Sequence, residues 1–176
     1  FDKVGVIGAG GGLGIHMLKM LKLNNISNIG IDTKTEKFDV CNENGAEFSV
    51  SPMENDLNNK IADYTQGNDL DVVIDFVSSK SSLELGASIL GKGGRLVTLG
   101  GSGEQFLANS ADMLVKELEL IGSRYCTKQE LKESLDLYAR GLIKPLVSHK
   151  TDFNGAEELH NKIETGDITG RAGILI

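Results

Sequence analysis

The stretch KVGVIGAGGGLGIHMLKMLKL, residues 3–23, indicates the fold class of this chain. It opens with an apolar run of strand length over residues 3–8, and apolar residues then recur at helical spacing across residues 12–23. Between them lies the glycine turn, GAGGGLG of residues 8–14. Glycines let such a turn stay tight and approach a pyrophosphate closely, while the following helix offers free N–H groups and a positive dipole end. The stretch therefore predicts a strand, a phosphate-binding turn and a helix.

The spacing of the glycines decides which phosphate-binding motifs the turn fits. A strict GxGxxG does not fit, because Leu13 stands where the third glycine would be if Gly8 and Gly10 were the first two. The run instead fits GxxGGxG or GxxxGxG, and a Walker A loop is excluded because no Lys-Ser or Lys-Thr pair follows Gly14. The turn residues that we predict to bind a cofactor are Gly8, Gly10, Gly11, Gly12, Leu13 and Gly14.

Strand-length apolar runs continue to alternate with helical stretches as far as Ser123. This order predicts an α/β fold, a doubly wound parallel sheet with helices on both faces. The predicted strands are 3–8, 26–32, 47–51, 70–77, 95–99 and 119–123, and the predicted helices are 12–23, 35–44, 56–64 and 81–90. Residues 111–116 fit either a strand or a helix.

The pattern changes after Ser123. A capping box at Thr127 and Glu130 opens an amphipathic helix over residues 127–140, and the last predicted elements are a strand near Leu146, a helix over 156–163 and a strand over 172–176. We therefore predict a nucleotide-binding domain over residues 1–123 and a C-terminal helix and strand extension over residues 124–176.

Asp32 ends the second predicted strand, 18 residues beyond Gly14. A carboxylate at this position accepts hydrogen bonds from both hydroxyls of an adenosine ribose and repels a 2′-phosphate, which favours NAD over NADP. Lys34 and Lys37 weaken this preference for NAD, because a lysine can help to hold the 2′-phosphate of NADP.

Two further strand ends are expected beside the ligand. In an open parallel sheet the ligand lies outside the carboxyl ends of the strands. Phe76 and Val77 end one strong predicted strand, and Leu99 ends the next and is followed by Gly100 and Gly101, so we predict that these residues line the cofactor site.

No catalytic or metal-binding residue is predicted. His16, His149 and His160 have no metal-ligand partner at i+2 to i+4, so we interpret them as surface or structural side chains. The sequence also contains no YxxxK pair of the short-chain dehydrogenase type and no GxSxG nucleophile motif.

Composition excludes several function classes. A net charge of −7 and a pI near 5.0 disfavour binding to nucleic acid or to an anionic membrane. No apolar run approaches the ~20 residues of a membrane span. Cys41 and Cys126 form no CxxC pair and fit a reducing cytoplasm. Because the chain opens on Phe1 rather than Met, we interpret it as a fragment of a longer protein.

These features together resemble the medium-chain, zinc-dependent alcohol dehydrogenase family, whose cofactor domain is a Rossmann fold. The resemblance runs from VGVIGAGGGLGIHMLKMLK through GIDTKTEKFDVCNENGAE and LDVVIDFVSSKSSLELGASILGKGGRLVTLGG to GDITGRAGILI. It implies that this half binds NAD(P), with Asp32 on the adenosine ribose and Lys37 near that ribose. It also implies that the glycine turn and Arg171 contact the pyrophosphate.

The same resemblance implies a separate catalytic domain and an oligomer. In the family, zinc in a separate GroES-like domain stabilises an alkoxide that passes hydride to the nicotinamide, and that domain also builds most of the substrate pocket. This chain is then expected to bind NAD(H) and to be inactive alone. Segments 113–116 and 118–123, interpreted as strands, match the edge that pairs in family dimers and imply a homodimer or tetramer.

Two alternatives remain open at this point. The first is a non-enzymatic nucleotide-sensing module, which would share the glycine turn and Asp32. The second is an S-adenosylmethionine methyltransferase that uses Gly8-x-Gly10-x-Gly12, although Val6 and Ile7 stand where such enzymes usually carry an acid.

Overall fold

The computed structural model describes residues 2–176, which form a six-stranded sheet, a two-stranded sheet and seven α-helices. The strands of the large sheet are β1 (Val4–Ile7), β2 (Asn28–Ile31), β3 (Ser49–Val50), β4 (Leu70–Asp75), β5 (Leu90–Thr98) and β6 (Glu119–Gly122). The helices are α1 (Gly14–Leu23), α2 (Phe38–Glu43), α3 (Leu57–Thr65), α4 (Lys80–Ser88), α5 (Ser110–Lys116), α6 (Lys128–Ala139) and α7 (Ala156–Glu164). The small sheet pairs β7 (Val147–Thr151) with β8 (Arg171–Ile174).

The large sheet is parallel throughout and has the strand order β3-β2-β1-β4-β5-β6. This is the Rossmann order, and it confirms the predicted doubly wound fold. The order reverses between β1 and β4, where Ile7 pairs with Asp75 at the carboxyl ends of the two strands. A ligand crevice is expected above this point.

Two hydrophobic clusters cover the two faces of the sheet. Residues of α1 such as Leu18 pack with Val4 and Val6 on one face, whereas α3 and α4 pack with Val73 and Leu96 on the other. All four residues of both β1 and β2 are buried. Central parallel strands are covered by helices on both sides, so they are apolar without alternation, as the sequence pattern indicated.

Residues 110–116 form helix α5, and the interpretation of segment 113–116 as a strand is therefore wrong. The Asn109 side chain caps this helix by accepting a hydrogen bond from the Ala111 N–H at 2.9 Å. Glu117 ends it with a left-handed φ of 54°. The apolar pattern of residues 110–116 is too short to distinguish a helix from a strand. The cap at its start and the residue that ends it decide between the two.

Several element boundaries also differ from the prediction. Strand β5 begins at Leu90 rather than at residue 95, since the glycine-rich start of this strand continues the pairing with β4. Helix α4 is capped by Ser79, whose hydroxyl accepts the Ser82 N–H at 3.2 Å, so the helix begins at Lys80 and not at the predicted residue 81. The predicted box at Thr127 and Glu130 on α6 is confirmed.

The C-terminal extension returns to the glycine turn. The Gly170 N–H donates to the Gly10 carbonyl at 3.0 Å, and the Arg171 N–H donates to the Leu146 carbonyl at 2.8 Å. Residues that the sequence separates by more than 150 positions thus meet at the carboxyl edge of the large sheet. No helix among residues 2–176 has the length and apolar character that a bilayer crossing requires.

Candidate cofactor-binding site

A cavity of about 690 Å³ opens at the carboxyl ends of β1, β2 and β4. Its size falls within the range of small-molecule sites in proteins. The predicted site residues that line it are Gly8, Gly11, Gly12, Leu13, Gly14, Asp32, Lys37, Phe76, Val77 and Arg171. The fold thus brings the glycine turn, the end of β2, the end of β4 and the C-terminal extension to one place.

The glycine turn is held close to the sheet by hydrogen bonds to its neighbours. The N–H groups of Gly8 and Ala9 donate to the Ile31 carbonyl, and the Gly11 N–H donates to the Gly8 carbonyl at 3.0 Å. Gly8 has a φ of 75°, a conformation that favours glycine. A Cβ on Gly14 would run into the Gly8 carbonyl and lie 2.7 Å from Ala9 Cα, so α1 could not approach β1 as closely.

Helix α1 begins in the cavity without a side-chain cap and without an acidic residue in its first turn. The N–H groups of Gly12 and Leu13 take part in none of the hydrogen bonds that residues 2–176 make with one another. Unpaired N–H groups at the positive end of a helix dipole favour an anion. This end of the cavity can therefore accept a phosphate group.

Asp32 is buried at the end of β2, and both of its carboxylate oxygens already accept backbone hydrogen bonds. Oδ2 accepts the Gly10 N–H at 2.8 Å, and Oδ1 accepts the Lys34 N–H at 3.0 Å. Each oxygen retains a further lone pair on the cavity side. The carboxylate is thus fixed in orientation and can still accept hydroxyl groups.

Lys37 is buried, and its ammonium group lies under the C-terminal extension. Nζ donates to the carbonyls of Gly166 at 2.5 Å and Ile168 at 2.8 Å. Its stem also fills the space above Gly10, where a Cβ would lie 2.8 Å from Lys37 Cβ. The lysine therefore joins α2, the glycine turn and the extension, in addition to lining the cavity.

Arg171 places its side chain over the glycine turn. A Cβ on Gly12 would lie 2.8 Å from both Cδ and Nε of Arg171, so glycine is required for this approach. The guanidinium takes part in none of the ion pairs among residues 2–176. A cation beside the open start of α1 adds to the attraction for an anion.

Four predicted site residues do not line the cavity, namely Gly10, Leu99, Gly100 and Gly101. Gly10 packs beneath Lys37 instead. The Gly100 N–H donates to Ser78 Oγ at 2.9 Å, and a Cβ on Gly100 would collide with that side chain. Contact of these residues with a cofactor stays a prediction.

Sequence reasoning missed Asp75, which together with Ser78 organises the loop after β4. Asp75 is fully buried; Oδ1 accepts the N–H groups of Val77 and Ser78, at 2.8 and 3.0 Å, and Oδ2 accepts the Ser82 hydroxyl at 2.7 Å. Ser78 has a left-handed φ of 55° and links this loop to the one after β5. The available signal was a charged residue inside the apolar run LDVVIDFV.

His16 has a structural position, as predicted. Its Nδ1 donates to the Gly12 carbonyl at 2.6 Å, and its Nε2 accepts the Leu146 N–H at 3.2 Å. The neutral ring with its proton on Nδ1 satisfies both partners. Among residues 2–176, no three His, Cys, Asp or Glu side chains cluster in a way that could hold a metal ion.

Comparison with known proteins shows the family to which this chain belongs. The family model described as zinc-binding dehydrogenase matches residues 12–140. The chain belongs to the zinc-binding dehydrogenase family. Its resemblance to medium-chain alcohol dehydrogenases is thereby confirmed, as is the oxidoreductase relationship.

Relatives of this zinc-binding dehydrogenase chain include enzymes with different named cofactors. It is 28% identical over 94% of its length to an NAD-dependent alcohol dehydrogenase of Sulfurisphaera tokodaii, and 26% identical over 97% to a D-arabinose 1-dehydrogenase (NADP(+)) of Saccharolobus solfataricus. An alcohol dehydrogenase structure from Aeropyrum pernix superimposes with a TM-score of 0.89 at 27% identity, covering 97% of this chain and 49% of that one. The chain matches 48% of each of the two curated relatives, which is about half their length.

Proposed function

We propose that this chain binds NAD(H) and orients it for hydride transfer between an alcohol and its carbonyl product. The observation that carries the proposal is the joint placement, in one cavity, of an uncapped helix start, a buried strand-end carboxylate and Arg171. An anion site and a hydroxyl acceptor that line the same cavity suit the pyrophosphate and the ribose of a dinucleotide. The relationship to NAD-dependent alcohol dehydrogenases supports the choice of cofactor.

Each group has a defined part in the proposed binding. The N–H groups of Gly12 and Leu13 would hold the pyrophosphate together with Arg171, and Asp32 would accept the adenosine ribose hydroxyls. The nicotinamide supplies the hydride chemistry when bound. Phe76 and Val77, beside the end of β4, would restrict how the cofactor lies in the cavity and exclude water from one side of it.

For the whole protein we propose an NAD-dependent alcohol dehydrogenase. The half of such an enzyme that this chain does not match would supply the substrate pocket and the zinc site expected from the family resemblance. We propose that the 176-residue chain alone binds NAD(H) without oxidising alcohols, since its sequence offers neither a YxxxK pair nor metal-ligand spacing.

We also propose that the protein self-associates through β6. This strand is the last in the sheet order, and all four of its residues are exposed. Leu120 and Ile121 leave 42% and 39% of their surface uncovered, next to the exposed Leu114 and Val115 of α5. An apolar edge strand with a free ladder of backbone groups favours pairing with a second copy.

The proposal is tested by calorimetric titration of the chain with NADH. Replacing Asp32 by Asn removes the charge that the ribose hydroxyls would meet, so we expect the dissociation constant for NADH to rise about tenfold, or about 1.4 kcal/mol. Asp63→Asn is the matched control, because Asp63 is exposed on α3 and should leave the dissociation constant unchanged.

Three results would contradict the proposal in different ways. Equal NADH affinity of the Asp32→Asn variant and the unmutated chain would remove Asp32 from the site. Failure of the unmutated chain to bind NADH, combined with binding of S-adenosylmethionine, would favour the methyltransferase alternative. Alcohol oxidation by the purified chain would refute its proposed inactivity.

A further inference from the structure

Lys34 reaches the cavity at the point where Asp32 would hold the ribose. Its N–H donates to Asp32 Oδ1 at 3.0 Å, and its side chain lines the cavity. A 2′-phosphate would replace one of the ribose hydroxyls next to Asp32. The Lys34 ammonium group is therefore within reach of the position that distinguishes NADP from NAD.

The other two cations that line the cavity have other partners or another proposed role. Lys37 Nζ donates to the carbonyls of Gly166 and Ile168, and the Arg171 side chain lies over Gly12, where we propose that the pyrophosphate binds. Lys34 is thus the cation best placed to attract a 2′-phosphate.

Asp167 holds this cation. Its Oδ1 lies 3.0 Å from Lys34 Nζ, and its Oδ2 lies 2.7 Å from the Thr165 hydroxyl, which fixes the carboxylate in place. The hydrogen bonds from Thr165 and Lys34 keep the pKa of the Asp167 carboxyl below its ordinary value, so the group is ionised at neutral pH. Lys34 thus contacts two carboxylates, Asp32 through its backbone N–H and Asp167 through its ammonium group.

We propose that Asp167 is a second specificity-determining residue, which disfavours NADP by neutralising Lys34. The inference rests on the proposed binding of NAD(H). Under this inference the preference for NAD over NADP depends on Asp167 in the C-terminal extension as well as on Asp32. Family membership does not fix this preference, because the names of the relatives include both NAD and NADP(+).

The test measures dissociation constants for NADH and NADPH by calorimetry on four proteins: the unmutated chain, Asp167→Asn, Lys34→Gln and the double variant. Asp167→Asn should strengthen NADPH binding about fivefold, the upper range for one exposed ion pair, and leave NADH binding within about twofold. The gain should disappear in the double variant, since Lys34 mediates it, and should shrink in 0.5 M salt through screening.

Asp136→Asn is the matched control, since Asp136 forms a similarly exposed ion pair with Arg140 at 3.3 Å on α6. It should change neither constant. The inference is wrong if NADPH affinity does not rise in Asp167→Asn, if NADH affinity rises equally, or if the gain persists without Lys34. Absence of NADH binding to the unmutated chain would refute the proposed function and, with it, this inference. Tight NADH binding with NADPH affinity unaffected by Asp167→Asn would refute the inference alone.

Discussion

At Gly14 the glycine turn leaves no space for a side chain. The position has an ordinary φ, so the requirement for glycine comes from close packing of α1 against Gly8 and Ala9 and not from backbone conformation. The sequence motif identified this glycine correctly, and the structure supplies the reason.

Replacing Gly14 by Ala should therefore destabilise the protein by about 1–3 kcal/mol, because the start of α1 must shift to relieve the overlap. The measurement is the free energy of unfolding in urea. Gly173→Ala on β8 is the control: its Cβ would meet Val147 Cγ1 at an ordinary 3.7 Å, so we expect a change within about 0.5 kcal/mol. Equal changes in the free energy of unfolding for the two substitutions would show that close packing at Gly14 does not require glycine.

Single residues also mark where sequence reasoning stops. Asp32 was predicted because it stands at a recognisable distance from the glycine turn. Asp75 was not, because two of its donors lie in the loop after β4 and the third, Ser82, lies in α4, so that their meeting depends on the fold. Lys37 was expected near a ribose, whereas its buried ammonium group also donates to carbonyls 129 and 131 residues away.

At the scale of elements, strands β1 and β2 were predicted well because all four residues of each are buried, and β4 because its run is mostly apolar although Asp71 is exposed. Among the elements after Leu99, helix α5 was predicted less well. Helix α5 has seven residues and a mixed pattern, so its Asn109 cap decides its structure. The edge strand β6 was located within about one residue of its observed ends.

Edge strand β6 gives a test of self-association. If it pairs with a second copy, light scattering should give a dimer or tetramer mass for the unmutated protein. Ile121→Lys should shift the mass to a monomer, because a charge on the edge opposes pairing. Phe153→Lys is the control, since Phe153 is 76% exposed on a separate part of the surface and should leave the mass unchanged. A monomeric unmutated protein would contradict the proposed interface.

At the scale of the whole molecule, the C-terminal extension completes the cavity. Contacts from Lys37, His16 and Gly10 fix it to the Rossmann domain. The predicted division at Ser123 marks a change in sequence pattern, yet residues from both sides of it line one cavity.

Replacing Lys37 by Met should loosen this attachment. The substitution preserves the buried stem and leaves the carbonyls of Gly166 and Ile168 without their donor, a loss of about 1.5–3 kcal/mol. Amide exchange at Gly170, whose N–H donates to Gly10, should accelerate at least about tenfold, whereas exchange in β1 should change little.

Lys162→Met provides the comparison for this prediction. Lys162 lies on α7 in the same extension, but its ion pair with Glu158 is exposed to solvent, so the exchange at Gly170 should stay as in the unmutated protein. An unchanged Gly170 exchange rate in Lys37→Met would show that other contacts hold the extension.

The sequence alone determined the parallel sheet, the glycine turn and the strand-end carboxylate, because burial periodicity and turn geometry act over a few neighbouring residues. The family resemblance implied that Arg171 lies near the glycine turn, but only the tertiary structure decided two other meetings of distant groups: Lys37 with the carbonyls of Gly166 and Ile168, and Lys34 with Asp167. These pairs depend on the path of the extension back across the carboxyl edge of the sheet, and no local pattern encodes that path.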